Sequence, residues 1–85
     1  MSEVLVTFKV MPKGVEINLD QLEATIKEIV KPDQIKREPI AFGLVALKIT
    51  KIVPDAAGVV DEIEVQLRKI EGVSEVEVTE LTKTL

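Results

Sequence analysis

An α+β sandwich is the fold class this sequence predicts, on three observations. The opening stretch VLVTFKVM alternates apolar residues with period two, as a half-buried strand does. Two later stretches instead place apolar residues every three or four positions, as amphipathic helices do. Each helix pattern stands between an apolar strand and a more charged one, so the order reads β-α-β, then β-α-β again.

In the first strand Val4, Val6, Phe8 and Val10 alternate with Leu5, Thr7, Lys9 and Met11. Phe8 is in phase with the valines and is therefore a core residue. Pro12, Lys13 and Gly14 end the strand. Asn18 is placed to cap a helix, with Gln21 three residues on in a capping-box pattern. Leu19, Leu22, Ile26, Ile29 and Val30 form one apolar stripe, which Pro32 stops. DQIKREPI reads as an edge strand, where polar residues and Pro39 discourage pairing with other chains. LVALKITKIV is apolar on both faces for much of its length and suits a central strand. Asp55, after Pro54, is a plausible cap for the second helix. Val60, Ile63, Leu67 and Ile70 form its stripe, and Gly72 stands where a C-terminal cap belongs. In SEVEVTEL, the last strand, Val76 and Val78 face one way.

Two such units interlock as a split βαβ, the ferredoxin-like βαββαβ sandwich. It has a four-stranded antiparallel sheet with two helices on one face. The apolar first and third strands should be central and the charged second and fourth should be edges. Leu22, Ile26, Ile29, Ile63, Leu67 and Ile70 should be buried between helices and sheet. The pattern also leaves a swapped dimer open.

With 85 residues, 46% hydrophobic and 31% charged, the chain is expected to be one globular domain spanning residues 1–85. No apolar run approaches the roughly 20 residues of a membrane span. The N-terminus reads as a strand and not as a signal peptide, so a cytoplasmic protein is expected. Cysteine and histidine are both absent. That removes disulfides, thiol nucleophiles, the usual zinc sites and the commonest general base. The net charge of −4 argues against a direct nucleic-acid partner. The carboxylates are scattered and match no calcium-loop spacing. Neither metal nor cofactor is expected.

The fold hosts many functions, so sites must be sought directly. An RNA-recognition module needs stacking aromatics on its central strands, and only Phe8 lies there. A phosphate loop needs clustered glycines, whereas Gly14, Gly43, Gly58 and Gly72 are isolated. Acyl-phosphate chemistry needs an arginine in an anion-binding loop. Arg37 stands on an edge strand and Arg68 late in a helix. Lys13 beside Gly14 reads as a plain turn.

Two stretches stand out. In EPIAFGLVALKI, Pro39 ends the edge strand, Gly43 eases a hairpin and Phe42 lies at the turn or at one end of the sheet. Phe42 either covers the end of the core or is a contact residue on a loop. In TELTKTL, continued alternation would turn Glu80 inward, and Leu81 is one step out of phase. The strand is expected to end or bulge near Thr79 and the tail to redirect. Lys83 then stands on a short polar tail with Leu81 and Leu85 nearby.

EPIAFGLVALKI and IEGVSEVEVTEL, with the opening VTFKVMP, resemble the archaeal translation elongation factor 1-beta family over essentially the whole chain. They are also similar to the C-terminal exchange domain of the eukaryotic factor. There a glycine–aromatic–glycine element before an apolar strand corresponds to Ala41, Phe42, Gly43 and Leu44. The resemblance implies guanine nucleotide exchange on the GTPase elongation factor 1-alpha, GDP-bound and nucleotide-free, without covalent chemistry, cofactor or membrane. It places Leu81 on the family's hydrophobic position and Lys83 on the lysine that enters the magnesium and phosphate region. Phe42 and Gly43 become candidate partner contacts. This chain departs from the eukaryotic pattern at Ala41, at Leu81, where phenylalanine is common, and in having two residues after Lys83. The rival readings are a ferredoxin-like small-molecule-binding regulatory domain, with a pocket near Pro12 to Val15, and a subunit-assembly module. Timed GDP release separates them.

Overall fold

The computed structural model describes residues 2–84. The elements are β1 (Glu3–Pro12), α1 (Leu19–Ile29), β2 (Gln34–Pro39), β3 (Val45–Pro54), α2 (Val59–Arg68) and β4 (Val73–Thr84). The strands form one antiparallel sheet in the order β2-β3-β1-β4. The two apolar strands are central and the two charged ones are edges, as their composition predicts.

The period-two pattern of β1 sorts its residues by face. Val4, Val6, Phe8 and Val10 are all buried. Their neighbours across the β3 ladder are Val53, Lys51, Ile49 and Leu47. Three of these join the core, together with Leu22 and Ile26 of α1 and Ile63 and Leu67 of α2. Both helices thus cover the same face. A fully buried aliphatic side chain of this kind contributes about 1.5–3 kcal/mol. On the opposite face Leu5 and Lys9 remain partly exposed.

Local signals set the helix ends. The Asn18 Oδ1 accepts the Gln21 amide at 3.1 Å. Asp20 and Lys27 complement the helix dipole at the two ends of α1. The chain leaves α1 through Lys31, which adopts a positive φ of 53°, and Pro32 prevents continuation. The stripe of α1 closes on Val30, which is buried, and not on Ile29, which is 45% exposed. Positions four apart stack along the face that begins with Leu22 and Ile26, and Val30 is the next in that row. Ile29 is turned about 100° away from Val30.

At α2 the N-cap is Gly58, in a left-handed conformation and with no side-chain cap. The second helix therefore starts later than an Asp55 cap would place it. Gly58 supplies the positive φ of 84° that turns the chain into the helix. The carboxylate of Asp55 is left for another partner.

These assignments fix an expected contrast. Leu67→Ala, at a fully buried position, should cost about 2–5 kcal/mol. Ile29→Ala should cost less than about 1 kcal/mol. Urea unfolding of the two variants measures both, and equal losses would contradict the burial assigned here.

Candidate functional site

The end of β4 is built by one extra residue. Val76 pairs with Val10 and Val78 with Phe8, on the helix-covered face. The register then shifts, so that Glu80 pairs with Thr7, Leu81 with Val6 and Lys83 with Val4. Thr79 is the bulged residue, and its hydroxyl donates to the Thr7 carbonyl at 3.3 Å. The bulge expected from the broken alternation is present. It moves Glu80 to the open face and brings Leu81 and Lys83 onto the core side. A similar shift occurs at Ser74, whose hydroxyl donates to the carbonyls of Met11 and Pro12 at 3.2 Å each.

The polar stretch beyond the bulge is not a redirected tail. It stays in the sheet as far as Thr84, which faces Glu3 and whose hydroxyl donates to the Glu3 carbonyl at 3.1 Å. Leu85 lies outside the described residues. Leu81 is 56% exposed although Val6 beside it is fully buried, so it forms a rim to the core. The Lys83 side chain is 75% exposed, and its ammonium lies 3.5 Å from Asp55 Oδ2. Leu81 and Lys83 thus project from one face of a paired strand, near the turn between β3 and α2.

Phe42 and Gly43 lie at the other end of the sheet. They are the central residues of the β2–β3 hairpin, where the Leu44 amide donates to the Ala41 carbonyl at 3.0 Å and the Ile40 amide to the Leu44 carbonyl at 2.9 Å. Both have positive φ, 54° at Phe42 and 80° at Gly43. Two consecutive left-handed residues make the tight hairpin turn whose twist matches the strands. Glycine accepts that conformation freely, whereas a bulky residue there is an outlier. Phe42 is 97% exposed, so it does not cover the core. Val15, 67% exposed, and Ile40, 42% exposed, flank it, with Val15 packed beside Gly43. From Val45 near the hairpin to Val53, whose partner Val4 pairs on its other side with Lys83, β3 spans about 26 Å. The predicted residues therefore form two groups, Phe42 with Gly43 and Leu81 with Lys83, at opposite ends.

Other candidate positions already have partners. Arg37 ties β2 to α1 through Glu23, at 2.6 Å, and Asp20. The Glu23 hydrogen bond foremost, then Asp20, raises its pKa. Arg68 bonds the Val76 carbonyl at 3.0 Å and Glu64 at 3.1 Å. At Gly14 the Glu16 carboxylate folds over the turn, which disfavours an anion beside Lys13. On the open face, Lys9 and Lys48 share Glu38 at 3.8 and 3.6 Å. A groove of about 580 Å³ lies past the first turn, between Glu16, Asn18, Gln21 and Glu71. Among the described residues no group of three or more acidic side chains is gathered to hold a metal ion. No helix among them is long and apolar enough to cross a membrane.

The sequence reading missed Val15 and Ile40 beside Phe42 and the pairing of Asp55 with Lys83. An apolar residue isolated in the turn PKGVE was the signal for Val15. The strain at Phe42 has a measurable consequence. Phe42→Asn keeps a residue that tolerates positive φ, so it should raise stability by about 0.5–1 kcal/mol. Chemical denaturation tests this, and a loss of stability would show that the ring supports the fold.

The chain was compared with known proteins. Residues 5–84 match the family described as the EF-1 guanine nucleotide exchange domain. It is 46% identical to Elongation factor 1-beta of Methanoculleus marisnigri, over 96% of this chain and 98% of that protein. It is 40% identical to Elongation factor 1-beta of Methanothermobacter thermautotrophicus, over the full length of both. Elongation factor 1-beta of Natronomonas pharaonis is also 40% identical, over 95% of this chain and 97% of that protein. With matches of this length and identity, the chain belongs to the elongation factor 1-beta family of guanine nucleotide exchange domains.

Proposed function

We propose that this chain promotes GDP release and GTP loading on elongation factor 1-alpha, in the cytoplasm, during protein synthesis. The observation that carries the reading is the Thr79 bulge, which puts Leu81 and Lys83 side by side at the exposed end of a paired strand. An ammonium there has a direct use. In a GTPase, magnesium bridges the nucleotide phosphates and neutralises their charge. A lysine amine entering that region competes with the metal, and the nucleotide then leaves faster. No bond is made or broken in the nucleotide. The factor has only to bind the open form of the GTPase better than the closed one.

Rigidity favours this use. A lysine on a frayed tail would lose much freedom on insertion, whereas Lys83 is already held in the β1–β4 ladder. Leu81 adds an apolar contact beside it. Phe42 serves affinity at the far end, where a lone, fully exposed aromatic suits an apolar pocket on the partner. Two contacts so far apart make binding and release separable. Phe42 and Gly43 hold the partner, and Lys83 acts on its nucleotide site.

The test is stopped-flow release of labelled GDP from elongation factor 1-alpha. Lys83→Ala should slow exchange by about tenfold or more, the loss expected for a charge-assisted contact. Its fold stability should stay within about 0.5 kcal/mol of wild type. Lys83→Arg should recover little, because a planar guanidinium replaces a compact ammonium poorly. Added free magnesium should oppose exchange by the intact protein. Phe42→Ala should weaken binding to the nucleotide-free GTPase by about tenfold or more, with less effect on the release rate at saturation. Full exchange by Lys83→Ala would remove the lysine from the mechanism. No acceleration by the intact protein would remove the exchange reading itself.

A further inference from the structure

Asp55 occupies a position where capping the following helix would be its ordinary role, yet Gly58 fills the cap site and α2 has no side-chain cap. The Asp55 carboxylate instead lies 3.5 Å from the Lys83 ammonium. Lys83 lies in β4, and Asp55 directly follows β3, which is not a neighbour of β4 in the sheet. Lys83 pairs with Val4, and Val4 pairs on its other side with Val53, two residues before Asp55. The contact therefore reaches from the edge strand across the end of the central strand, about two strand spacings or roughly 10 Å. Hydrogen bonds fix both ends of this span. The Asp55 amide donates to the Ser2 carbonyl at 3.1 Å, and the Ala56 amide to the Pro54 carbonyl at 2.9 Å. On the other side, Thr84 is tied to Glu3.

We infer that Asp55 is a positioning residue for exchange, aiming the Lys83 ammonium over the end of β1 before the partner is met. The inference rests on the exchange reading above. A lysine has a long, flexible stem, and holding it in one direction removes freedom that would otherwise be lost on insertion. The carboxylate is 39% exposed and the lysine 75%, so solvent screens the pair. A contact this weak biases the direction of the side chain without trapping it. The ammonium is released when a stronger anionic site, the nucleotide-binding region of the GTPase, comes within reach. Asp55 itself touches neither nucleotide nor metal in this scheme.

The experiment compares wild type, Asp55→Asn, Asp55→Glu, Lys83→Ala and the Asp55→Asn/Lys83→Ala double variant in stopped-flow GDP release. It also measures the order of the Lys83 side chain by methylene relaxation in NMR. At low ionic strength Asp55→Asn should lower the second-order exchange rate about two- to fivefold, the range expected for an exposed pair. The deficit should close as salt approaches about 1 M, where such pairs are screened. Asp55→Glu should recover part of the rate. Asp55→Asn should loosen the Lys83 methylenes and should cost nothing further in the Lys83→Ala background. A rate equal to or above wild type in Asp55→Asn overturns the inference, as does an equal loss in the Lys83→Ala background or unchanged Lys83 order. If Lys83→Ala alone exchanges at the full rate, the exchange role of Lys83 fails and Asp55's with it. An impaired Lys83→Ala with an unaffected Asp55→Asn fails the inference alone.

Discussion

Thr79 stands between two registers of β4, and the side chains beyond it depend on that single insertion. A strand alternates strictly, so a one-residue slip exchanges its faces. Without the bulge, Glu80 would pair with the fully buried Val6 and place a carboxylate against the core. With it, Glu80 meets Thr7 on the open face and Leu81 meets Val6. The cost is one unpaired position, partly offset by the bond from the Thr79 hydroxyl to the Thr7 carbonyl. The same insertion that protects the core also gives Lys83 its direction. One irregularity thus sets both the composition of the core edge and the face from which Lys83 projects.

Much of this was legible in the sequence because β1 and β3 must satisfy two neighbours and a helix layer at once. Their apolar alternation follows from that, and so does the placing of the charged strands at the edges. The break in β4 was legible too, because Glu80 is an impossible core residue and Leu81 a natural one. What could not be read was that the polar residues after the break stay paired. An edge strand needs only one backbone partner, so its side chains carry little sign of whether pairing continues. Ile29 and Val30 are equally apolar neighbours on a stripe, and only the packing of the helix on the sheet chose Val30. Asp55 looks like a cap in any window that does not weigh Gly58, which accepts the left-handed turn and delays the helix.

The candidate residues could be singled out in the sequence, but their arrangement could not. Phe42 was open between core and contact, and the turn excludes the core: two successive positive-φ residues leave the ring outside it. The distance between that ring and Lys83 follows from topology, since β3 runs from one to the vicinity of the other. The two groups share no side chain and no turn. The sheet between them is the rigid element, stiffened by the Arg37 tie to α1 and the Arg68 tie to β4. A partner that grips one end receives the other in a defined place.

The hairpin tip has a consequence for how such a chain changes over generations. A turn with Phe42 at a positive φ is less stable than the same turn with asparagine or glycine. Natural drift toward easier backbones would erase the ring, and so would any campaign of heat-stabilising substitutions guided by fold alone. Neither would damage the core or the sheet. The product would be a sturdier molecule without the exposed ring at its hairpin tip, with every measure of folding reporting an improvement.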